Sequence, residues 1–188
     1  MTASNKSDGW QEVIRGGDRV WIRPIHSDDV EMERRFIEGL SPASRRFRFR
    51  DTMRSPSDEL LHLLTAINPA TEVAFVAMVD DEARDHEIGV GRFTAAPDGN
   101  DCEFAVTVSD EWQSKGLGSH LMHHLIEAAR KRGIGQMHSS DASDNHAMRE
   151  FATHLHIDHR LDPDDATQTL YSIDLKRGTR DGASPRTN

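Results

Sequence analysis

The chain has 188 residues, enough for one α/β domain with a real core and too few for two ordinary ones. It carries 32 acidic residues against 23 Lys and Arg, a formal charge of −9 with histidines neutral, so a nucleic-acid partner is not expected and a cationic partner is favoured. The lone Cys102 rules out a disulfide within the chain, and no apolar run reaches membrane-spanning length, so no membrane partner is expected either.

Residues 1–17 read as a polar segment, partly disordered, without the apolar core of a signal peptide, which predicts a cytoplasmic protein. A single domain is expected over 18–175. Val20 to Arg23 reads as its first strand, and Ser27-Asp28-Asp29 as the cap of a helix reaching about Glu38. Leu40-Ser41-Pro42 introduces a second helix from Ala43 to Phe49, and Ser57 caps a third through Thr65. Strands follow over Val73 to Val79, Ile88 to Ala95 and Glu103 to Val108, separated by turn chemistry at Asp80-Asp81 and at Pro97-Asp98-Gly99-Asn100. A long helix runs from Leu117 to about Arg132, with Leu121, Met122, Leu125, Ile126 and Ala129 at helical spacing. A strand near Gln136 to Ser140, a helix from about Asn145 to Leu155, and strands near Ile157 to Leu161 and Gln168 to Leu175 complete the domain. Lys176 to Asn188 is a basic tail, expected to be disordered.

The stretch Asp101 to Arg132 carries the chemistry. A strand, a turn with glycines at 116 and 118, and an amphipathic helix place unsatisfied amides at a helix N-terminus, which suits a phosphate or pyrophosphate. A P-loop does not fit, because Lys115 precedes its glycine and no hydroxyl residue stands in the magnesium position. A dinucleotide fingerprint does not fit either, because Leu121 occupies the place of its third glycine. Chemistry on an alkylammonium beside such a turn would need a base, since an amine of pKa ~10 becomes a nucleophile only after losing a proton. Glu103 is the candidate, expected to be partly buried between Cys102 and Phe104. The plain alternative is a structural carboxylate paired with Arg92, and Asp101 is a weaker substitute.

Gln113-Ser114-Lys115-Gly116-Leu117-Gly118 resembles the Gln/Arg-x-x-Gly-x-Gly/Ala acetyl-CoA signature of the GNAT superfamily of N-acetyltransferases. The resemblance runs from about Asp18 to Asp174, and Glu103-Phe104-Ala105-Val106-Thr107-Val108 is similar to a strand of bacterial protein-lysine acetyltransferases that holds a catalytic glutamate. It implies an α/β (α+β) fold of the GNAT type, a mixed and mostly antiparallel central sheet flanked by helices. It implies acetyl-CoA as cosubstrate, no metal, and direct transfer in a ternary complex with Glu103 as general base. The pyrophosphate would lie on the amides of Gln113, Ser114, Lys115, Gly116, Leu117, Gly118 and Ser119, with Lys115 adding a charge or serving only as a loop lysine. The backbone of Val106, Thr107 and Val108 would bind the pantetheine and the acetyl carbonyl. Asn145 would contact the cofactor or a buried water, or act as an ordinary N-cap. The implied acceptor is a primary amine, foremost a protein lysine such as one on an acyl-CoA synthetase. A polyamine or aminoglycoside is the small-molecule alternative, and a non-catalytic acyl-CoA-binding sensor is the third reading. Monomer and homodimer are both left open.

The chain also departs from the pattern. The tyrosine that often protonates the departing thiolate falls at Ala152, and the usual Gly-Phe after that helix is His156-Ile157. Tyr171, the only tyrosine, stands on a late strand and reads as packing; solvent can protonate a thiolate whose conjugate acid has a pKa of about 8.5. His120 and His124, with Glu127, have ligand spacing on one helix, but they are expected to face solvent, opposite the apolar stripe. A nucleophilic Cys102 has no histidine tied to it by sequence. Arg45, Arg46, Arg48 and Arg50 could cover a helix, touch the cofactor's 3′-phosphate or meet an acidic partner.

Overall fold

Two periodicities in the sequence become two helical layers on one sheet. The computed structural model describes residues 8–49, 55–81 and 84–176. The expectations for residues 1–7, for Arg50 and for the tail beyond Lys176 lie outside these. Eight strands form the sheet: β1 (Trp10–Val13), β2 (Arg19–Pro24), β3 (Glu72–Asp81), β4 (Arg84–Ala95), β5 (Asp101–Val108), β6 (Gln136–Ala142), β7 (Asp158–Leu161) and β8 (Gln168–Asp174). Their order is β1-β2-β3-β4-β5-β6-β8-β7, antiparallel throughout except between β5 and β6. The mixed, mostly antiparallel sheet expected from the sequence is therefore present.

The one parallel pair follows from its connection. Helix α4 (Leu117–Lys131) carries the chain from β5 back to β6, and parallel neighbours require such a crossover. The α4 stripe of Leu117, Leu121, Met122, Leu125 and Ala129 is buried to 1% exposure or less. It packs with Phe93 and Phe104 of the sheet and with Ala152 of α5 (His146–His154) in one core. At about 1.5–3 kcal/mol for each large apolar side chain withdrawn from water, this stripe alone anchors the layer. On the opposite face, α1 (Val30–Gly39) and α3 (Asp58–Thr65) bury Phe36, Ile37, Leu61 and Leu64 against Val76 and Val90, and α2 (Pro42–Phe49) lies toward β5.

Three boundaries differ from the sequence reading. The segment before Asp18, taken as polar and outside the domain, supplies β1. Its anchors are Ile14, buried to 3%, and Trp10, edge-on to Phe75 and stacked on His124; four residues were too few to show an alternation. The turn placed at Asp80-Asp81 is strand, because β3 and β4 pair as far as Asp81 and Arg84. Asp29 makes no side-chain cap on α1. Its carboxylate instead takes both terminal nitrogens of Arg23 at 2.7 Å and the amide of His26. Ser57, by contrast, caps α3 as expected, accepting from the Leu60 amide.

Candidate active site

Strands β5 and β6 begin side by side and then part. Their register is Asp101 to Gln136, Cys102 to Met137 and Glu103 to His138, and it stops there, although β5 runs on to Val108 and β6 to Ala142. A cavity of about 680 Å³ occupies the opening. Its walls are Phe104 to Val108 on one side and Ser139 to Asp141 on the other, with α4's N-terminus, α5 and α2 closing the remainder.

The turn between β5 and α4 shows why the glycines stand where they do. Gly116 has φ +88, a left-handed conformation that strains any residue with a Cβ, and it forms the N-cap of α4. A Cβ on Gly118 would meet the Phe151 ring at 3.1 Å, so the close approach of α4 to α5 requires the second glycine. The amides of Ser114 to Gly118 find no acceptor among the described residues, leaving a row of donors at a helix N-terminus. The loop is braced from outside: the Arg15 amide donates to the Lys115 carbonyl at 2.9 Å, the Arg15 guanidinium to the Ser114 carbonyl, and the Gln113 amide group to the Val108 carbonyl.

Of the residues named from the sequence, Glu103, Val106, Thr107, Val108, Gln113, Ser114, Gly116, Leu117, Gly118, Ser119 and Asn145 all line this cavity. Lys115 does not. Its ammonium lies 3.5 Å from Asp18 and 4.2 Å from the centre of the Trp112 ring, so its side chain is engaged on the outside of the loop. Asn145 is the N-cap of α5, accepting from the Met148 amide at 3.1 Å; it also lines the cavity and donates to Asp141 at 2.7 Å.

Glu103 is exposed, which corrects the expectation of partial burial. Its neighbours Cys102 and Phe104 point into the core on one face, and strand alternation turns Glu103 out on the other. Arg92 does not pair with it. That guanidinium donates to the Leu64 carbonyl at 2.6 Å and belongs to a separate cluster with Glu33, Glu87 and Arg48. Burial holds the Glu33 and Glu87 carboxyls above the usual range, and the Glu33 charge raises Glu87 further. Burial and the nearby Arg92 lower Arg48, which lines the cavity, to about 10.

Sequence reasoning missed the contact that seats α2. Asp110, in a short turn after β5, accepts from the Ser41 hydroxyl and the Ser44 hydroxyl at 2.8 Å each and from the Ser41 amide at 2.9 Å. Arg46 reaches Asp144, in the loop after β6, at 3.0 Å. Helix α2 is thus pinned to both sides of the opening. The only available signal was Ser41-Pro42-x-Ser44, and its partner lies 66 residues away from Ser44.

The other candidates resolve simply. Cys102 is fully buried and its thiol is pushed up to about 12, by burial first and by Asp101 second, which removes it as a nucleophile. His124 is buried rather than solvent-facing: it meets Glu12 of β1 at 3.0 Å, while His120 meets the other oxygen of the same carboxylate at 3.1 Å. Glu127 pairs with Arg130 instead. Ala152 is fully buried, and Tyr171, 1% exposed, packs in the core and stacks on His159.

Residues 38–156 match the model of the Acetyltransferase (GNAT) family. An acetyltransferase of Pseudomonas aeruginosa is 40% identical over 173 residues, 92% of this chain and 93% of its own length. The acetyltransferase Pat of Mycolicibacterium smegmatis is 30% identical over 145 residues, which are 76% of this chain but 42% of that protein. Among solved structures, the GNAT domain of S. lividans PAT superposes with a TM-score of 0.81 at 22% identity, over 93% of this chain and 99% of that one. A cAMP-binding acyltransferase from Mycobacterium smegmatis superposes with a TM-score of 0.62 at 24% identity, over 89% of this chain and 47% of that one. No helix of the described residues is long and apolar enough to cross a membrane.

Proposed function

The chain belongs to the GNAT acetyltransferase family, and from that premise we propose that it moves the acetyl group of acetyl-CoA to a protein lysine by direct attack in a ternary complex, with Glu103 as general base. The observation that carries the reading is the continuity of one cavity from the free amides of Ser114 to Gly118, through the gap between β5 and β6, to the exposed carboxylate of Glu103. The amides would take the pyrophosphate, and the unpaired edge of β5 at Val106 to Val108 would take the pantetheine and polarise the thioester carbonyl. An ammonium arriving on the α2 side gives its proton to Glu103. The freed nitrogen attacks the carbonyl carbon, the nitrogen of the tetrahedral intermediate releases its extra proton to solvent, the C–S bond breaks as the intermediate collapses to the amide, and the thiolate takes a proton from solvent.

A lysine on a partner protein, for instance an acyl-CoA synthetase, is favoured over a polyamine or aminoglycoside for two reasons. The Glu103 strand resembles that of bacterial protein-lysine acetyltransferases, and an exposed carboxylate is open to a side chain borne by a large partner. Calorimetric titration with acetyl-CoA and with CoA tests the site, and low-micromolar binding is expected. Glu103→Gln should keep that affinity within about twofold while lowering turnover by roughly 10²–10⁴. Unchanged turnover at pH 7–8 removes Glu103 as the base, and binding without transfer to any amine leaves the acyl-CoA sensor.

A further inference from the structure

The loop that would take the pyrophosphate holds two left-handed residues, Ser114 at φ +60 and Gly116 at φ +88, and its amides from Ser114 to Gly118 are the donors the proposed site depends on. Their direction is set from the far end of the chain. The turn from β1 to β2 closes on itself: the Ile14 amide donates to the Asp18 carbonyl and the Gly17 amide to the Ile14 carbonyl, each at 3.0 Å. Ile14 is buried, and β1 before it is fastened to α4, where Glu12 meets His120 and His124. From this closed turn Arg15 gives the loop two donors. Its amide reaches the Lys115 carbonyl at 2.9 Å, and its guanidinium reaches the Ser114 carbonyl at 3.2 Å, 99 residues away in sequence. Asp18 adds a third tie, to the Lys115 ammonium.

A trans peptide points its carbonyl and its N–H in opposite directions, and no peptide among the described residues is cis. With the Ser114 and Lys115 carbonyls drawn toward Arg15, the amides of Lys115 and Gly116 face away from the turn. Those two amides form the middle of the donor row. We infer that Arg15 is a positioning residue of the cofactor site, holding the Lys115 and Gly116 amides in the direction a pyrophosphate requires. The inference rests on the transferase reading and adds to it a residue that lies far outside the Gln113 to Gly118 signature. Lys115 does not do this work from within the loop, since its ammonium is engaged with Asp18 and the Trp112 ring. Arg15 also lines the cavity, but it is exposed, and an exposed guanidinium counts for little as a bare charge once salt is present.

The test titrates the full chain with acetyl-CoA by calorimetry and uses inorganic pyrophosphate and S-acetylpantetheine as its competitors. Arg15→Ala should weaken acetyl-CoA about fivefold and pyrophosphate by the same factor, while S-acetylpantetheine, which lacks the pyrophosphate, stays within about twofold. Arg15→Lys keeps a donor on a long side chain and should recover most of the loss. The ratio of wild-type to Arg15→Ala affinity should hold as salt rises, because the effect passes through a hydrogen bond within the protein. Unchanged acetyl-CoA affinity in Arg15→Ala overturns the inference. So does an equal loss for S-acetylpantetheine, which would make Arg15 a general support of the fold, and so does a loss that fades with salt, which would make the guanidinium a direct charge on the phosphates. A wild-type chain that binds neither acetyl-CoA nor pyrophosphate sinks the transferase reading and the inference together, whereas wild-type binding that Arg15→Ala leaves intact sinks the inference alone.

Discussion

Gly116 shows how one residue holds the candidate cofactor site. Nothing lies within 4 Å of a Cβ built there, so a side chain is excluded by the backbone conformation and by what it would bring to the donor row. Gly116→Asp adds both faults: a left-handed strain of about 1–2 kcal/mol and a carboxylate where the amides should meet a pyrophosphate. Acetyl-CoA affinity should fall at least about 100-fold by calorimetry, the equivalent of two decimal orders at 1.4 kcal/mol each. Gly116→Asn separates the causes, because asparagine tolerates the left-handed region and carries no charge, so most of the affinity should return. This much was legible in the sequence, because the turn is local: strand, glycines and helix follow one another between Asp101 and Lys131. The role of Lys115 was not legible, since Asp18, which holds it, lies nearly 100 residues earlier on another turn.

At the scale of elements, α2 is the part that sequence could name but not place. Its apolar pattern is short and it buries no residue fully, so its position depends on polar contacts with Asp110 and Asp144. Burial acts to raise the Asp110 carboxyl, but the Ser41 and Ser44 donors outweigh it and hold the group below its usual range. A depressed carboxyl favours the pinned state above the ordinary aspartate pKa, and that contribution is lost as pH falls below it. S41A/S44A removes both hydroxyl donors, and at about 1 kcal/mol for each exposed bond to a carboxylate α2 should open more often. Amide exchange over 43–49 should rise roughly 30-fold while 117–131 stays unchanged. Acceptor KM should rise with it. If exchange over α2 is unaltered, the Asp110 contact is not what seats it. The parting of β5 and β6 came within reach only through the family resemblance, which assigns the backbone of Val106, Thr107 and Val108 to the pantetheine; by periodicity alone both read as ordinary strands.

The molecule as a whole keeps a buried charge cluster that a stable core alone does not require. Glu33 and Glu87 are 1% and 2% exposed, one on α1 and the other on β4; the two carboxyls meet each other, and no amide, hydroxyl or cationic donor among the described residues meets either oxygen of Glu87. From the sequence, Glu33 was one acid on an amphipathic helix and Glu87 preceded a strand expected to begin at Ile88. Only the longer β4 turns Glu87 inward, beneath α1, so that their meeting belongs to the tertiary fold. Its consequence for stability runs opposite to that of Asp110. Because burial raises both carboxyls in the folded chain, the folded state binds more protons than the unfolded one through the weakly acidic range. Stability is then greatest below the ordinary glutamate pKa of ~4.3 and declines as pH rises toward the folded value. Glu87→Gln keeps the shape and removes the titration, so it should match the wild type in urea midpoint near pH 4.5 and exceed it at pH 8, by on the order of 1–3 kcal/mol. The decline should flatten in the variant. Two parallel curves of stability against pH would mean that the cluster is neutralised within itself, by Arg92 and Arg48, and that burial does not set the protonation of Glu87.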